Sequence, residues 1–164
     1  MFLITGNGSF LSGWYWLTWL GLWGWVFLRT LGVPNDMVLR ARRLPEVAGR
    51  VDDLARIASL RIGGVYDQAG VPLAALAGFG LATLFVAGFG SGLEAAKAAF
   101  LIAFPVSAVG YSTLRLALAV RRKGQRGADL RRALLKRWVW HALIAWTGLA
   151  AAVSAALVEH GPAL

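Results

Sequence analysis

Few residues of this sequence have side chains suited to binding or catalysis inside a membrane. Ser107, Tyr111 and Arg115 recur at four-residue spacing, which places them on one face of a helix. Such a polar stripe would line a pore, hold a lipid or quinone headgroup, or contact a substrate. The alternative interpretation is helix packing, with hydrogen bonds between helices and an arginine that reaches the membrane surface.

The two histidines are badly placed for a shared site. His141 and His160 are 19 residues apart, which is roughly 28 Å along a helix. One protomer therefore cannot bind a haem or a metal ion through both, and we expect each to be interfacial or solvated. The sequence has no cysteine, which excludes disulfides, iron–sulfur clusters and thiol nucleophiles.

Other catalytic signals are missing as well. The sequence contains no P-loop, dinucleotide-binding, zincin or serine-hydrolase motif. Its longest apolar segments contain no Asp or Glu, the residues that proton- and sodium-coupled carriers usually place at membrane depth. We therefore predict a protein that is not an enzyme, with no catalytic residues, no metal site and no required cofactor, although its apolar helices would suit a bound lipid, quinone or carotenoid.

Composition and apolar runs predict an integral membrane protein. Hydrophobic residues make up 58% of the 164 residues and charged residues only 15%, against roughly 25% charged in ordinary globular domains. Crossing a bilayer takes about 20 helical residues. Four uncharged apolar runs reach that length, so we predict an all-α, four-helix single membrane domain over 1–164, with spans at 10–28, 71–93, 98–120 and 138–158.

The basic residues predict the orientation of these spans. The connections 29–70 and 121–137 carry seven and eight Lys or Arg residues, whereas Lys97 is the only one on the other side. Basic connections stay in the cytoplasm, so both termini should lie outside. The preference for Arg over Lys, with abundant Ala and Gly, is typical of a GC-rich bacterial genome, and we expect the bacterial inner membrane.

The connection 121–137 is the densest block of positive charge. Cations near an anionic leaflet attract lipid headgroups, and we predict anionic phospholipid as their partner. Nucleic acid is not expected, because the block has no interleaved aromatic residues and no recognised nucleic-acid-binding motif. The predicted headgroup residues are Arg121, Arg122, Lys123, Arg126, Arg131, Arg132, Lys136 and Arg137.

The connection 29–70 is too long for a structureless loop. Pro45 and Glu46 suit a first helical turn, an apolar stripe follows, and Gly63-Gly64 would end the helix. We predict an additional cytoplasmic amphipathic helix that lies on the membrane, docks a partner or folds against the spans. An Asp52 to Arg56 ion pair would support it. The apolar stripe consists of Val47, Val51, Leu54, Ala58 and Ile62.

Small residues at four-residue spacing let membrane helices approach closely. We predict that they pack the spans against one another or against other membrane subunits. The first span also carries a tryptophan stripe, Trp16, Trp19 and Trp23, which suits a lipid, a pigment or a partner helix, with lipid exposure as its ordinary interpretation. The predicted packing residues are Ala74, Gly78, Ala82, Gly88, Gly92, Gly148, Ala152 and Ala156.

These features leave three functional hypotheses. The first is a non-catalytic subunit or assembly factor of a larger membrane complex. The second is a small homo-oligomeric pore or uncoupled transporter that uses Ser107, Tyr111 and Arg115. The third, which the sequence favours least, is a lipid-modifying enzyme that uses arginines and His141 at the inner headgroup layer.

Overall fold

The computed structural model describes residues 8, 10 and 12–161, and this part of the chain is almost entirely helical. Two short antiparallel strands, β1 (Arg29–Thr30) and β2 (Val33–Pro34), form a hairpin, and a π-helical turn, Val86–Gly90, extends α3. The all-α fold class is confirmed at this level. The α-helices are α1 (Gly13–Leu28), α2 (Asn35–Arg40), α3 (Pro45–Phe85), α4 (Glu94–Lys123) and α5 (Gly127–His160).

Three helices in the described part of the chain are long and apolar enough to cross a membrane: Pro45–Gly90, Glu94–Lys123 and Gly127–Glu159. Three such helices are compatible with a multi-pass membrane protein. The predicted first span corresponds to α1, which has 16 residues and is about 24 Å long at 1.5 Å per residue. Part of that span, residue 11, lies outside the described residues.

The predicted amphipathic helix is not a separate element, which corrects the expectation that Gly63-Gly64 ends it. Helix α3 runs without interruption from Pro45 through both glycines and Pro72 to Phe85. Each interior glycine costs about 1 kcal/mol relative to alanine, but Gly63 also allows close packing. A Cβ there would lie 2.5 Å from the Arg121 Nη1 atom of α4, so the missing side chain leaves room for the Arg121 guanidinium against α3.

One end of the helix bundle carries the β-hairpin, α2, the first half of α3 and the α4–α5 turn, and we call it the basic end. Its core joins residues from all of these elements except the turn, so the first half of α3 folds against this protein's own helices. The buried α3 stripe is Val51, Ala55, Ser59 and Gly63, whereas Leu54 is exposed. The core comprises Leu31, Val33, Val38, Ala41, Val51, Ala55, Leu116, Ala117, Val120, Leu130 and Leu134.

Helix α1 packs on α4 and α5 through its aromatic residues. Trp19 and Trp23 are buried with Val109 and Ala145, which corrects the expectation that this tryptophan stripe faces lipid. Aromatic side chains bury large apolar areas, and here they fill the space between three helices. The face of α1 that the sequence interpretation assigns to lipid therefore lies inside the bundle.

The segment 121–137 is mostly helix rather than a loop. Helix α4 continues to Lys123 and α5 begins at Gly127, so only residues 124–126 connect them. Gly124 and Gly127 adopt φ of +57° and +62°, the left-handed conformation that glycine adopts without steric cost. This turn lets the two basic helix ends meet beside the first half of α3.

Candidate functional site

Asp52 is the residue that ties α3 to the α4–α5 turn. Its carboxylate accepts the backbone N–H of Gly127, with Oδ2 at 2.9 Å and Oδ1 at 3.0 Å. Backbone N–H groups at a helix N-terminus have no partner within the helix, and an acidic side chain there also interacts favourably with the helix dipole. Asp52 therefore caps α5 from another helix, and the expected Asp52–Arg56 ion pair is not formed in the described structure.

Asp67 and Arg121 form a second link between α3 and α4. The Arg121 Nη1 donates a hydrogen bond to Asp67 Oδ2 at 2.7 Å. This bond holds the pKa of the Asp67 carboxyl below its usual range and raises the pKa of the Arg121 guanidinium. Both side chains remain largely solvated, so the pair orients the arginine more than it stabilises the fold.

The eight predicted headgroup residues do not share one environment. Arg121 is engaged by Asp67, and Arg137 donates a hydrogen bond to Ser112 Oγ at 2.9 Å. Arg131 is half-buried, and Arg132 lies 3.8 Å from Asp129. The remaining four are exposed at the basic end: Arg122, Lys123, Arg126 and Lys136.

The interior of the bundle holds a polar cluster that sequence reasoning missed. Ser112, Arg137 and His141 lie between α4 and α5, and His141 is 1% exposed. Neither of its ring nitrogens has a hydrogen-bond partner among the described residues. The expectation of a solvated His141 is therefore wrong, because the helix turns this side chain toward the inside of the bundle. The side chain of His160 lies outside the description.

The predicted polar stripe lies largely on the outer surface of α4. Tyr111 is 63% exposed, Arg115 is exposed beside it with its guanidinium 6.0 Å from the ring centroid, and Ser107 is half-buried. A cation over an aromatic ring is attracted by its quadrupole. The stripe does not line a channel inside one protomer.

The small residues divide into two groups. Gly88 lets α4 approach, because a Cβ there would lie 2.7 Å from the Lys97 backbone nitrogen. Gly148 lies against Pro105, and Ala152 and Ala156 pack in a cluster around Phe10. The exposed small residues are Ala74, Gly78, Ala82 and Gly92.

At the opposite end of the bundle, two acidic residues, Glu94 and Glu159, contact distant parts of the chain. The buried carboxylate of Glu94 accepts the backbone N–H of Phe10 at 3.1 Å. Lys97 forms an ion pair with Glu159 across α4 and α5. These contacts connect residues up to 84 positions apart, so no local sequence pattern could have predicted them.

Within the described residues, no group of three or more His, Asp and Glu side chains is placed to hold a metal ion. No family model, curated protein or solved structure matches this chain.

Proposed function

We propose that this protein is a non-catalytic integral subunit or assembly factor of a larger bacterial inner-membrane complex. The observation that carries the proposal is the exposed, apolar second half of α3. Every residue from 71 to 79 is exposed, and the most apolar window of this helix contains no buried residue. The first half of the same helix, in contrast, packs into the core at the basic end.

The exposed second half of α3 has features that suit a partner helix better than lipid alone. Ala74, Gly78 and Ala82 recur at four-residue spacing, which aligns them on one face. Among the described residues, no atom apart from the neighbouring backbone of α3 lies within 4 Å of a Cβ built on Gly78. Small side chains let a neighbouring backbone come close and gain dispersion contacts, which drive helix association in lipid.

Charged residues support a membrane position with the basic end in the cytoplasm. On α4, 18 residues separate Lys97 from Arg115, or about 27 Å. On α5, 22 residues separate Arg137 from Glu159, or about 33 Å. Both spacings match a hydrocarbon core of about 30 Å. In this placement α1 forms the fourth span, both termini lie outside, and Arg122, Lys123 and Lys136 lie near anionic headgroups.

Site-specific photo-crosslinking in native membranes tests the proposal. We expect a photoreactive residue at Gly78 to crosslink one defined membrane protein of another sequence, identified by mass spectrometry. The control is the same residue at Ala151, which is exposed on α5. Lipid adducts alone at Gly78, or the same protein captured equally from Ala151, would contradict the proposal.

A homo-oligomeric pore or uncoupled transporter is the second candidate, favoured by the position of Tyr111 and Arg115. Because both are exposed on the outer surface of α4, they could line a path only between protomers. In this case the purified protein would conduct ions in liposomes, and Arg115→Leu would abolish the flux. Normal flux in Arg115→Leu, or no flux from the wild type, would contradict a pore.

A further inference from the structure

The basic end contains a groove between the first half of α3 and the α4–α5 turn. Two cavities of about 400 Å³ and 260 Å³ adjoin there and share the lining residues Asp52, Arg56 and Arg126. Arg121 and Gln125 complete the wall on the α4 side of the smaller cavity. The Asp52–Gly127 hydrogen bonds join the two sides of the groove by fixing the turn against α3.

Charged side chains line this groove: Arg56, Arg121 and Arg126, with Asp52 and Asp53. Neither Arg56 nor Arg126 forms an ion pair with any residue that the structure describes. The amide oxygen of Gln125 is buried without a partner among these residues. Because an amide can turn over to present its NH₂ group, this side chain can also donate to an anion.

We propose that the groove binds the phosphate group of a water-soluble ligand. The planar fork of a guanidinium matches two oxygens of a phosphate, and two unpaired arginines lining one cavity supply such forks. Asp53, which also lines the larger cavity, would accept from a hydroxyl or amino group beside the phosphate. The matching ligand class is a phosphate ester that carries hydrogen-bond donors.

Distance along α3 favours a soluble phosphate over a lipid headgroup. Arg56 precedes the predicted membrane boundary at Val71 by 15 residues, or about 22 Å of helix. Even a tilt of 40° would leave about 17 Å, whereas the headgroup layer extends only about 5 to 8 Å beyond the hydrocarbon on each side. The choice of a soluble ligand rests on the membrane placement proposed above, whereas the cavities and their arginines do not depend on the proposed partner subunit.

Calorimetric titration of pyrophosphate into the detergent-solubilised full chain tests the site. We expect saturable binding of pyrophosphate to the wild type. The double variant Arg56→Ala/Arg126→Ala should weaken this binding by about tenfold or more, because each substitution removes charge-assisted hydrogen bonds. The matched control is Arg42→Ala/Arg43→Ala, which removes the same charge from an exposed turn outside the groove. Equal weakening in both double variants, or no binding by the wild type, would overturn the proposal.

Two further measurements keep the test decisive. Arg56→Lys/Arg126→Lys retains the charge without the fork, so we expect it to fold and to bind pyrophosphate more weakly than the wild type. Flotation with phosphatidylglycerol vesicles covers the lipid source of phosphate, and we expect the groove variants to float like the wild type. Full pyrophosphate affinity in the lysine variant, or loss of vesicle binding confined to the groove variants, would overturn a soluble-phosphate site.

Discussion

Asp52 of α3 caps the N-terminus of α5 by accepting the Gly127 backbone N–H with both carboxylate oxygens. The two residues are 75 positions apart, yet the contact resembles a local helix cap in its chemistry. It fixes the direction in which α5 leaves the turn. The Asp52–Gly127 contact therefore fixes the position of the apolar helix α5 relative to the folded basic end.

Replacing Asp52 should loosen this connection. We expect Asp52→Ala to lower the free energy of unfolding by about 1 kcal/mol, the usual cost of losing a helix cap. For a chain of this size that is a decrease of roughly 2 to 4 °C in Tm. Thermal unfolding in detergent, followed by circular dichroism, measures it. The control is Asp53→Ala, because Asp53 is exposed and makes no such contact; equal decreases would refute the capping role.

Gly88 offers a sharper test of helix packing. In Gly88→Ala the new Cβ would meet the backbone nitrogen and Cα of Lys97 at 2.7 and 2.8 Å. Backbone atoms cannot rotate away, so we expect overpacking to cost about 1 to 3 kcal/mol. Gly80→Ala is the matched control, since nothing lies within 4 Å of a Cβ there. The prediction fails if thermal unfolding in detergent gives both variants the stability of the wild type.

The Asp67–Arg121 pair should make stability depend on pH in the acidic range. Because Arg121 lowers the pKa of Asp67 in the folded protein, the ionised pair contributes stability above the ordinary carboxyl pKa. That contribution is lost as the pH falls through the lowered folded value. We expect Tm to be higher for the wild type than for Asp67→Asn at pH 7, with the difference shrinking as the pH falls below the ordinary carboxyl pKa. A constant difference across this range would show that Asp67 acts other than by its charge.

The sequence predicted the presence of helices far better than it predicted where they end and which residues they contact. Apolar runs identify spans because lipid requires backbone hydrogen bonds within each helix, and α4 and α5 contain the spans predicted for them. Helix α3 nevertheless continues through Gly63 and Gly64 to Phe85. Each glycine in a helix interior costs about 1 kcal/mol relative to alanine, so a pair of glycines alone is a weak signal for a helix end.

The polar residues show a second limit of the sequence pattern. Helical spacing places Ser107, Tyr111 and Arg115 on one face of α4, but periodicity does not indicate which face turns inward. The inward face of α4 carries Ser112 instead. Its partner Arg137 was assigned to lipid headgroups because a basic residue near a span end usually remains at the surface.

The buried imidazole of His141 should not stabilise the folded protein. Its ring is 1% exposed and neither nitrogen has a partner among the described residues. A buried polar group without a hydrogen bond costs free energy that an apolar side chain of similar volume avoids. We therefore expect His141→Leu to keep or raise the Tm measured in detergent. Ser112→Ala should lower it instead, because Arg137 then loses its acceptor at 2.9 Å. A clear decrease in Tm for His141→Leu would contradict this account.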